Sequence, residues 1–585
     1  MQCVRRYYTL SRIVEVTLLW ISLSVTTWWC ASAQAQERFD MGSPQDPRQI
    51  GLKVPQRNPS PVLPRPDLPP VQPMLKKLQH IPSPQLLVQQ IKVVGSTIFS
   101  DKDLTEVTSK YVDRFVTMEE LEAVRQSLTH LYVSRGYVNS IAILPDQTVI
   151  DGIVTFQIIE GTLGSVTIKN NSWFRTNYLR SRLALDVKPP LHIASLEERL
   201  QLLQQDDRIE RLDAELRPGE RLGVSTLHVN VKERVPFFMA LEFNNYQSPT
   251  IGAERGLVTV AHQNLTRHGD ILRFTFWRSA GLGLQVDTNY TLPISPRETS
   301  LSFRYQRTDS SVVEDVFDPL DIESQSEIFT VTLRHPLYRT PRQEFALAFT
   351  GEHLRSETFL LGQPFSFSLG AQDGETVDTA LRLSVEWVDR TPRQVFAVQS
   401  QFSLGIDALG ATINDDPKLP DGRFFKWLGQ FQWIRRLGER DIQLLFRLNV
   451  QLTTEPLLPL EQASVGGRFT VRGYRENTMV RDKALVASLE TRIPLFRNRR
   501  WAEFMRLVPF VDFGRARNRK VPTPDPTNLA SIGLGLQWAA TWRTIVPLRA
   551  YFEVFWGYKL VDVETSGGDL QDKGLHLQFV LSSAF

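Results

Sequence analysis

The sequence predicts a transmembrane antiparallel β-barrel of sixteen strands preceded by two small α+β domains. Three observations carry that reading. From about Phe237 to Phe585 apolar and polar residues alternate strand after strand, the pattern of a lipid-facing outside and a polar inside. Charged residues fall on the enclosed face: in Leu381–Trp387, Leu381, Leu383, Val385 and Trp387 point one way and Arg382, Ser384 and Glu386 the other. A soluble sandwich core would not accept such charges without cost, whereas a water-filled lumen does. Third, links after even-numbered strands are short and links after odd-numbered strands usually long, as between Asp309 and Gln325, Arg355 and Val377, and Glu455 and Lys483.

The elements follow in order. Arg5, Arg6 and Arg12 precede an apolar stretch from Val16 to Trp29 and small residues at Ala31, Ala33 and Ala35, so residues 1–35 read as a secretory signal peptide. Its removal takes away three arginines and one glutamate, and the net charge falls from +3 to about +1. Both cysteines, Cys3 and Cys30, lie inside it, so the mature chain has neither disulfide nor thiol nucleophile. Residues 36–85 hold twelve prolines and read as a periplasmic linker. No basic stripe points to nucleic acid.

The first α+β domain occupies 86–161. Leu87–Val94 is strand-like, and Thr117 with Glu120 forms a capping box at the start of a helix. Leu121, Val124, Leu128, Leu131 and Tyr132 give that helix its apolar face. Val138–Leu144 and Ile153–Ile159 are expected strands. The second domain, 162–234, repeats the order: strand Gly164–Ile168, helices Asn177–Leu185 and Ser195–Gln204, strands Ala214–Leu216 and Ser225–Val231. The barrel takes 235–585. The stretch Arg339-Thr340-Pro341-Arg342-Gln343 recurs as Arg390-Thr391-Pro392-Arg393-Gln394, both at short turns of the same class. In the last strand Leu575, Leu577, Phe579, Leu581 and Phe585 share one parity.

Two motifs stand out inside the barrel. The loop 454–483, between the eleventh and twelfth strands, contains Val465-Gly466-Gly467-Arg468-Phe469-Thr470-Val471-Arg472-Gly473-Tyr474. The thirteenth strand contains Phe510-Val511-Asp512-Phe513-Gly514. With two α+β domains in front, the chain from Leu86 to Phe585 resembles the outer-membrane transporters of two-partner secretion, the haemolysin-activator and filamentous-haemagglutinin exporter family. The resemblance implies that the α+β domains are POTRA domains in the periplasm and that the sixth extracellular loop folds back into the lumen. It also implies that the loop tip, Val471, Arg472, Gly473 and Tyr474, meets Asp512 of the Phe510–Gly514 strand. The partner so implied is a secreted exoprotein of adhesin or haemolysin type with an N-terminal secretion domain. Barrel-assembly machinery and periplasmic chaperones would act during biogenesis, with Phe579, Leu581 and Phe585 as a C-terminal assembly signal. Some family members carry an N-terminal plug helix; Pro44 and Pro47 interrupt the segment where it would lie.

The residues themselves add detail. If Ala487, Leu489, Thr491 and Ile493 face lipid, then Ser488, Glu490 and Arg492 face the lumen, which makes Glu490 and Arg492 candidates for a lumen network. Alternation does not place Asp512, which shares its parity with Phe510. Gly466 and Gly467 read as a loop hinge, because glycine admits positive φ and close backbone approach. No catalytic, metal or cofactor site is expected: the histidines lack H-E-x-x-H spacing, and no G-x-x-x-x-G-K-[ST] loop occurs. Two other readings remain open, a barrel-assembly insertase of the same superfamily and a passive porin.

Overall fold

The computed structural model describes residues 85–584 except 316, 417, 439, 543–546 and 566–567. The expected signal peptide, proline-rich linker and plug-helix segment, and Phe585, lie outside the described residues.

The described residues 85–234 form one unit. Its first half holds β1 (Gln85–Val88), β2 (Gln90–Val94), α1 (Asp101–Thr108), β3 (Arg114–Thr117), α2 (Met118–Ser134), β4 (Ile141–Ile143) and β5 (Ile153–Ile159). β2 runs parallel to β5 and β4 antiparallel to it. The second half holds β6 (Thr162–Lys169), α3 (Thr176–Leu183), α4 (Ile193–Gln204), β7 (Ile209–Pro218) and β8 (Val224–Glu233). β6 runs parallel to β8 and β7 antiparallel to it, which repeats the topology of the first half. Thr117 caps α2 with Glu120 as expected. Leu121, Val124, Leu128 and Tyr132 are buried in a core shared with Val154, Phe156 and Ile158.

Three details depart from the sequence reading. The strand expected over Leu87–Val94 breaks at Gln89, because the Gln89 and Gln90 amides both donate to the Gly152 carbonyl, at 2.9 and 3.3 Å. The chain thereby switches from pairing with β3 to pairing with β5. Helix α1 was not expected: it is two turns long, and its capping box uses Ser100 with Asp103 rather than the Glu or Gln of the common pattern. The strand expected over Ala214–Leu216 runs from Ile209 to Pro218, because charged residues such as Glu210, Arg211 and Asp213 lie on its solvent face.

The remaining residues form a closed antiparallel barrel. Its strands are β9 (Phe237–Asn244), β10 (Arg255–His262), β11 (Ile271–Ser279), β12 (Leu282–Pro293), β13 (Ser300–Ser311), β14 (Ile322–Arg339) and β15 (Gln343–Leu360). After the two-residue β16 (Gln363–Pro364), which only pairs back onto β15, come β17 (Glu375–Arg390), β18 (Gln394–Gly405), β19 (Phe425–Leu437) and β20 (Ile442–Thr453). The short hairpin β21 (Ala463–Val465) and β22 (Met479–Arg481) stands apart from the wall. β23 (Lys483–Arg499), β24 (Ala502–Arg517), β25 (Asn528–Trp542), β26 (Leu548–Lys559) and β27 (Leu575–Ala584) complete the sixteen wall strands, and β27 closes on β9.

Facing follows the alternation. Leu485, Leu489, Val511, Phe513, Ile532 and Leu534 are exposed on the outside, while Ser488, Glu490, Asp512 and Ser531 are buried inside. The long hairpin after β15 differs in extent from the expected loop Arg355–Val377. Pairing continues to Leu360 and resumes at Glu375, because Arg355, Ser356 and Glu357 pair across with Val377, Thr376 and Glu375 beyond the apolar band.

Candidate functional site in the barrel lumen

The loop between β20 and β23 does not project outward. From Pro456 to Asp482 every residue is buried except Gln462, Phe469 and Arg475, which are partly so. Three of the contacts that hold the loop each use a side chain whose charge could not be left bare in such surroundings.

At its tip, Arg472 is 1% exposed. Its Nε and Nη2 donate to the two oxygens of Asp512, both at 2.7 Å, a bidentate fork that matches the planar guanidinium. Its backbone amide donates to the same carboxylate at 3.0 Å. Nη1 donates to Glu490 at 3.0 Å and Nη2 to Ser488 Oγ at 3.0 Å. The guanidinium lies 3.7 Å from the ring centre of Phe510 and 5.0 Å from that of Phe555. Phe510 and Asp512 both point inward, so the shared parity that left Asp512 unplaced is resolved: the aromatic ring is part of the arginine's seat.

The rest of the tip fits because the wall there is stripped of side chains. Gly473 has φ +94°, and a Cβ on it would stand 2.7 Å from the Gly557 carbonyl oxygen. A Cβ on Gly514 would stand 2.5 Å from Val465 and 2.7 Å from Val471. Gly533 and Gly535 make room for the rings of Phe510 and Phe555 in the same way. Tyr474 donates its hydroxyl to the Ala530 and Val561 carbonyls at 2.8 and 2.9 Å. Gly466 and Gly467, at φ +117° and +104°, sit where β21 turns into the tip, and a Cβ on Gly467 would stand 1.9 Å from Glu476.

Glu490 and Arg492 are also brought together. Glu490 receives Arg492 at 2.7 Å, Arg472 at 3.0 Å and Arg447 at 3.2 Å. Phe579 is exposed on the outer face of β27, and Leu581 pairs across to Leu241.

Two holding points escaped the sequence reading. Arg468, just after the glycine pair, places its guanidinium 2.7 Å from Glu553 and 4.0 Å from the ring centre of Phe555. Glu553 also accepts from Tyr246 at 2.8 Å and Gln537 at 2.9 Å. Nearer the loop's start, Glu461 is fully buried against Arg382 at 2.8 Å and against Lys426, while Arg382 also reaches Glu352 at 2.9 Å and Ser403 at 2.7 Å. Inward-facing Glu553, Arg382 and Lys426 were legible as charges on enclosed strand positions; their partners in the loop carried no periodic signal. At these levels the lumen is filled by the loop and not by water alone, in line with the in-folded sixth loop that the resemblance implies.

The arrangement is a wall-bound strap across a pore. Residues 223–538 match the family of haemolysin secretion/activation proteins ShlB/FhaC/HecB, and residues 86–161 match the ShlB-type POTRA domain. The chain is 23% identical over 423 residues to the outer membrane transporter CdiB of Dickeya dadantii (strain 3937), covering 69% of this chain and 72% of that protein. Among solved structures, CdiB from Escherichia coli superposes with a TM-score of 0.64 at 19% identity, covering 94% of this chain and 98% of the other. CdiB from Acinetobacter baumannii gives 0.61 at 16% identity, covering 95% and 99%.

Proposed function

This chain belongs to the haemolysin secretion/activation family, and from that premise we propose that it exports a large partner exoprotein of adhesin or haemolysin type. The protein is an outer-membrane two-partner secretion transporter with POTRA structure on the periplasmic side. The observation that supports a gated passage most directly is the buried Arg472 seat: a charged loop tip fixed inside a closed barrel obstructs a pore. Family membership places this reading ahead of a barrel-assembly insertase or a passive porin.

In this reading the units 86–161 and 162–234 receive the exoprotein's N-terminal secretion domain. Edge strands are available for strand addition, in which main-chain hydrogen bonds supply affinity: β2 and β4 in the first sheet, β6 and β7 in the second. Gly466 and Gly467 serve as the hinge, and Arg472 with Asp512 as the closing contact. Phe579, Leu581 and Phe585 are read by the barrel-assembly machinery during insertion. The test is secretion. Cells producing a candidate partner exoprotein should release it to the medium only when the chain is intact. Deletion of residues 86–234 should stop release while the barrel still inserts. Undiminished release after that deletion refutes the receiving role.

A further inference from the structure

The twin Arg-Thr-Pro-Arg-Gln turns have no part in the lumen. Each folds identically: Thr340 N donates to the Gln343 carbonyl at 2.8 Å and Gln343 N returns to Thr340 Oγ1 at 2.9 Å. Thr391 and Gln394 repeat both bonds, at 2.8 and 3.0 Å. The turns are also chained, since Arg390 N donates to the Arg342 carbonyl and Arg436 N to the Arg393 carbonyl, both at 2.8 Å. Arg342 and Arg393 therefore stand at matched positions two strands apart, roughly 10 Å along the rim.

This rim is basic. The four successive turn regions 339–344, 389–394, 435–441 and 497–503 contain ten arginines against five acidic residues. The opposite rim is not: 312–321 holds four acids and no base, and 560–574 four acids and one lysine. Some of the turn arginines are neutralised, Arg342 by Asp389 at 3.0 Å and Arg436 by Asp441 at 3.2 Å. Arg393 and Arg435 are exposed and have no carboxylate partner among the described residues. Arg393 borders a shallow depression lined by Thr391, Pro392, Gln394, Ile434 and Arg436. Arg435 follows Trp433 on the outward parity of β19, and Trp433 stacks on Phe396 with ring centres 6.0 Å apart. Tyr338, Trp501 and Trp542 are exposed at the same end. Aromatic rings of this kind mark the headgroup level of a bilayer. Two residues further along a strand is roughly 7 Å, the depth of lipid phosphates.

We propose that this strip, centred on Arg393 and Arg435, binds the phosphate groups of anionic phospholipid in the periplasmic leaflet of the outer membrane. Arginine is suited to the task because its planar fork grips phosphate through two bonds. The site requires only that the barrel resides in that membrane, and it is independent of which polypeptide is exported.

The test uses the full chain in nanodiscs holding equal dioleoylphosphatidylglycerol and dioleoylphosphatidylcholine, with retained lipid counted by native mass spectrometry after transfer to detergent. The wild type should retain phosphatidylglycerol several-fold over phosphatidylcholine, and 1 M salt should erase most of that preference. R393Q and R435Q should each lower retention about five-fold. R423Q, on the extracellular side, should leave it unchanged. Lysine at both positions, which keeps the charge but not the two-bond fork, should retain a preference between those of the wild type and the glutamine variants, which separates loss of charge from loss of fold if the glutamine variants insert poorly. Equal retention of the two lipids by the wild type, or an undiminished preference in folded R393Q/R435Q, overturns the proposal. A shift on heating in gel mobility confirms the barrel separately, so failure here is distinguishable from failure of the membrane placement.

Discussion

Arg472 and Asp512 are unequal partners, and the inequality predicts an unusual mutational pattern. Among the described residues every hydrogen bond to the Asp512 carboxylate comes from Arg472. Arg472→Ala leaves only the backbone amide for a carboxylate that is 1% exposed, and stranding a buried charge costs about 3–5 kcal/mol. Asp512→Ala leaves Arg472 still bonded to Glu490 and Ser488, so its cost is nearer the about 1.5–3 kcal/mol of a lost charged hydrogen bond. In the double variant nothing is stranded, because Glu490 keeps Arg492 and Arg447. The double variant should therefore hold the loop better than Arg472→Ala alone, a negative coupling readable in a mutant cycle. With Cys3 and Cys30, the two natural cysteines, replaced by serine, a cysteine at Phe469 is the lone thiol and its labelling rate reports loop release. Labelling should rank Arg472→Ala fastest, then the double variant, then Asp512→Ala, then the parent. Additive single effects, or Asp512→Ala equal to Arg472→Ala, would refute the reasoning.

Glu461→Gln should loosen the start of the loop while leaving Arg472 seated, since Arg382 and Lys426 would lose their shared anion; protease cleavage between residues 454 and 465 reads this, and unchanged resistance counts against the clamp. Gly473→Ala should slow or stop secretion with the barrel still inserted, because a methyl there meets the Gly557 carbonyl at 2.7 Å in a backbone region hostile to alanine; normal secretion would show that the wall can yield. In the periplasmic unit, burial pushes the Tyr132 phenol up to about 12 from its ordinary 10.0, chiefly by desolvation. The folded state therefore favours the protonated phenol, and the associated stability is complete below pH 10 and lost as pH climbs from 10 towards 12. Urea midpoints of residues 85–234 should fall over that window, and Tyr132→Phe should flatten the slope.

What was legible in the sequence divides along a physical line. Strand number, facing and turn class are written in a period of two and in turn residues, which are local signals; Arg382, Glu490 and Arg492 were placed inward by parity alone. Helix α2 was legible because a capping box and an apolar face coincide in seventeen residues. Helix α1 was not, because eight residues give too little periodicity to distinguish from a loop. Inside the lumen, the aromatic seat of Arg472 was hidden because Phe510 looks like a lipid-facing residue in any strand. Its inward direction depends on Gly533 opposite, two strands' worth of information that no single strand contains. Glu461 was hidden for a related reason: its partners Arg382 and Lys426 lie on β17 and β19, at sequence distances no local pattern spans.

The chemistry of the strap also bears on how the pore can open. A plug held by apolar burial would expose its greasy face to water on release, at about 25 cal/mol for each Å² uncovered. The strap combines apolar burial with charge pairing: Val465, Val471, Tyr474 and Met479 are buried against Ala484, Val486, Ala516 and Leu529, while Arg468, Arg472 and Glu461 are each paired with charges of the wall. Buried ion pairs forfeit solvation on forming, so separating both partners into water returns much of what the separation costs. Removing one partner by mutation gives no such return, which is why Arg472→Ala and a natural release differ. For the charged contacts alone, docked and released states then lie closer in free energy than the number of contacts suggests, while the glycines at positions 473, 514 and 557 allow the close docked approach. A polypeptide that competes for one of these carboxylates or guanidinium groups would shift that balance towards release.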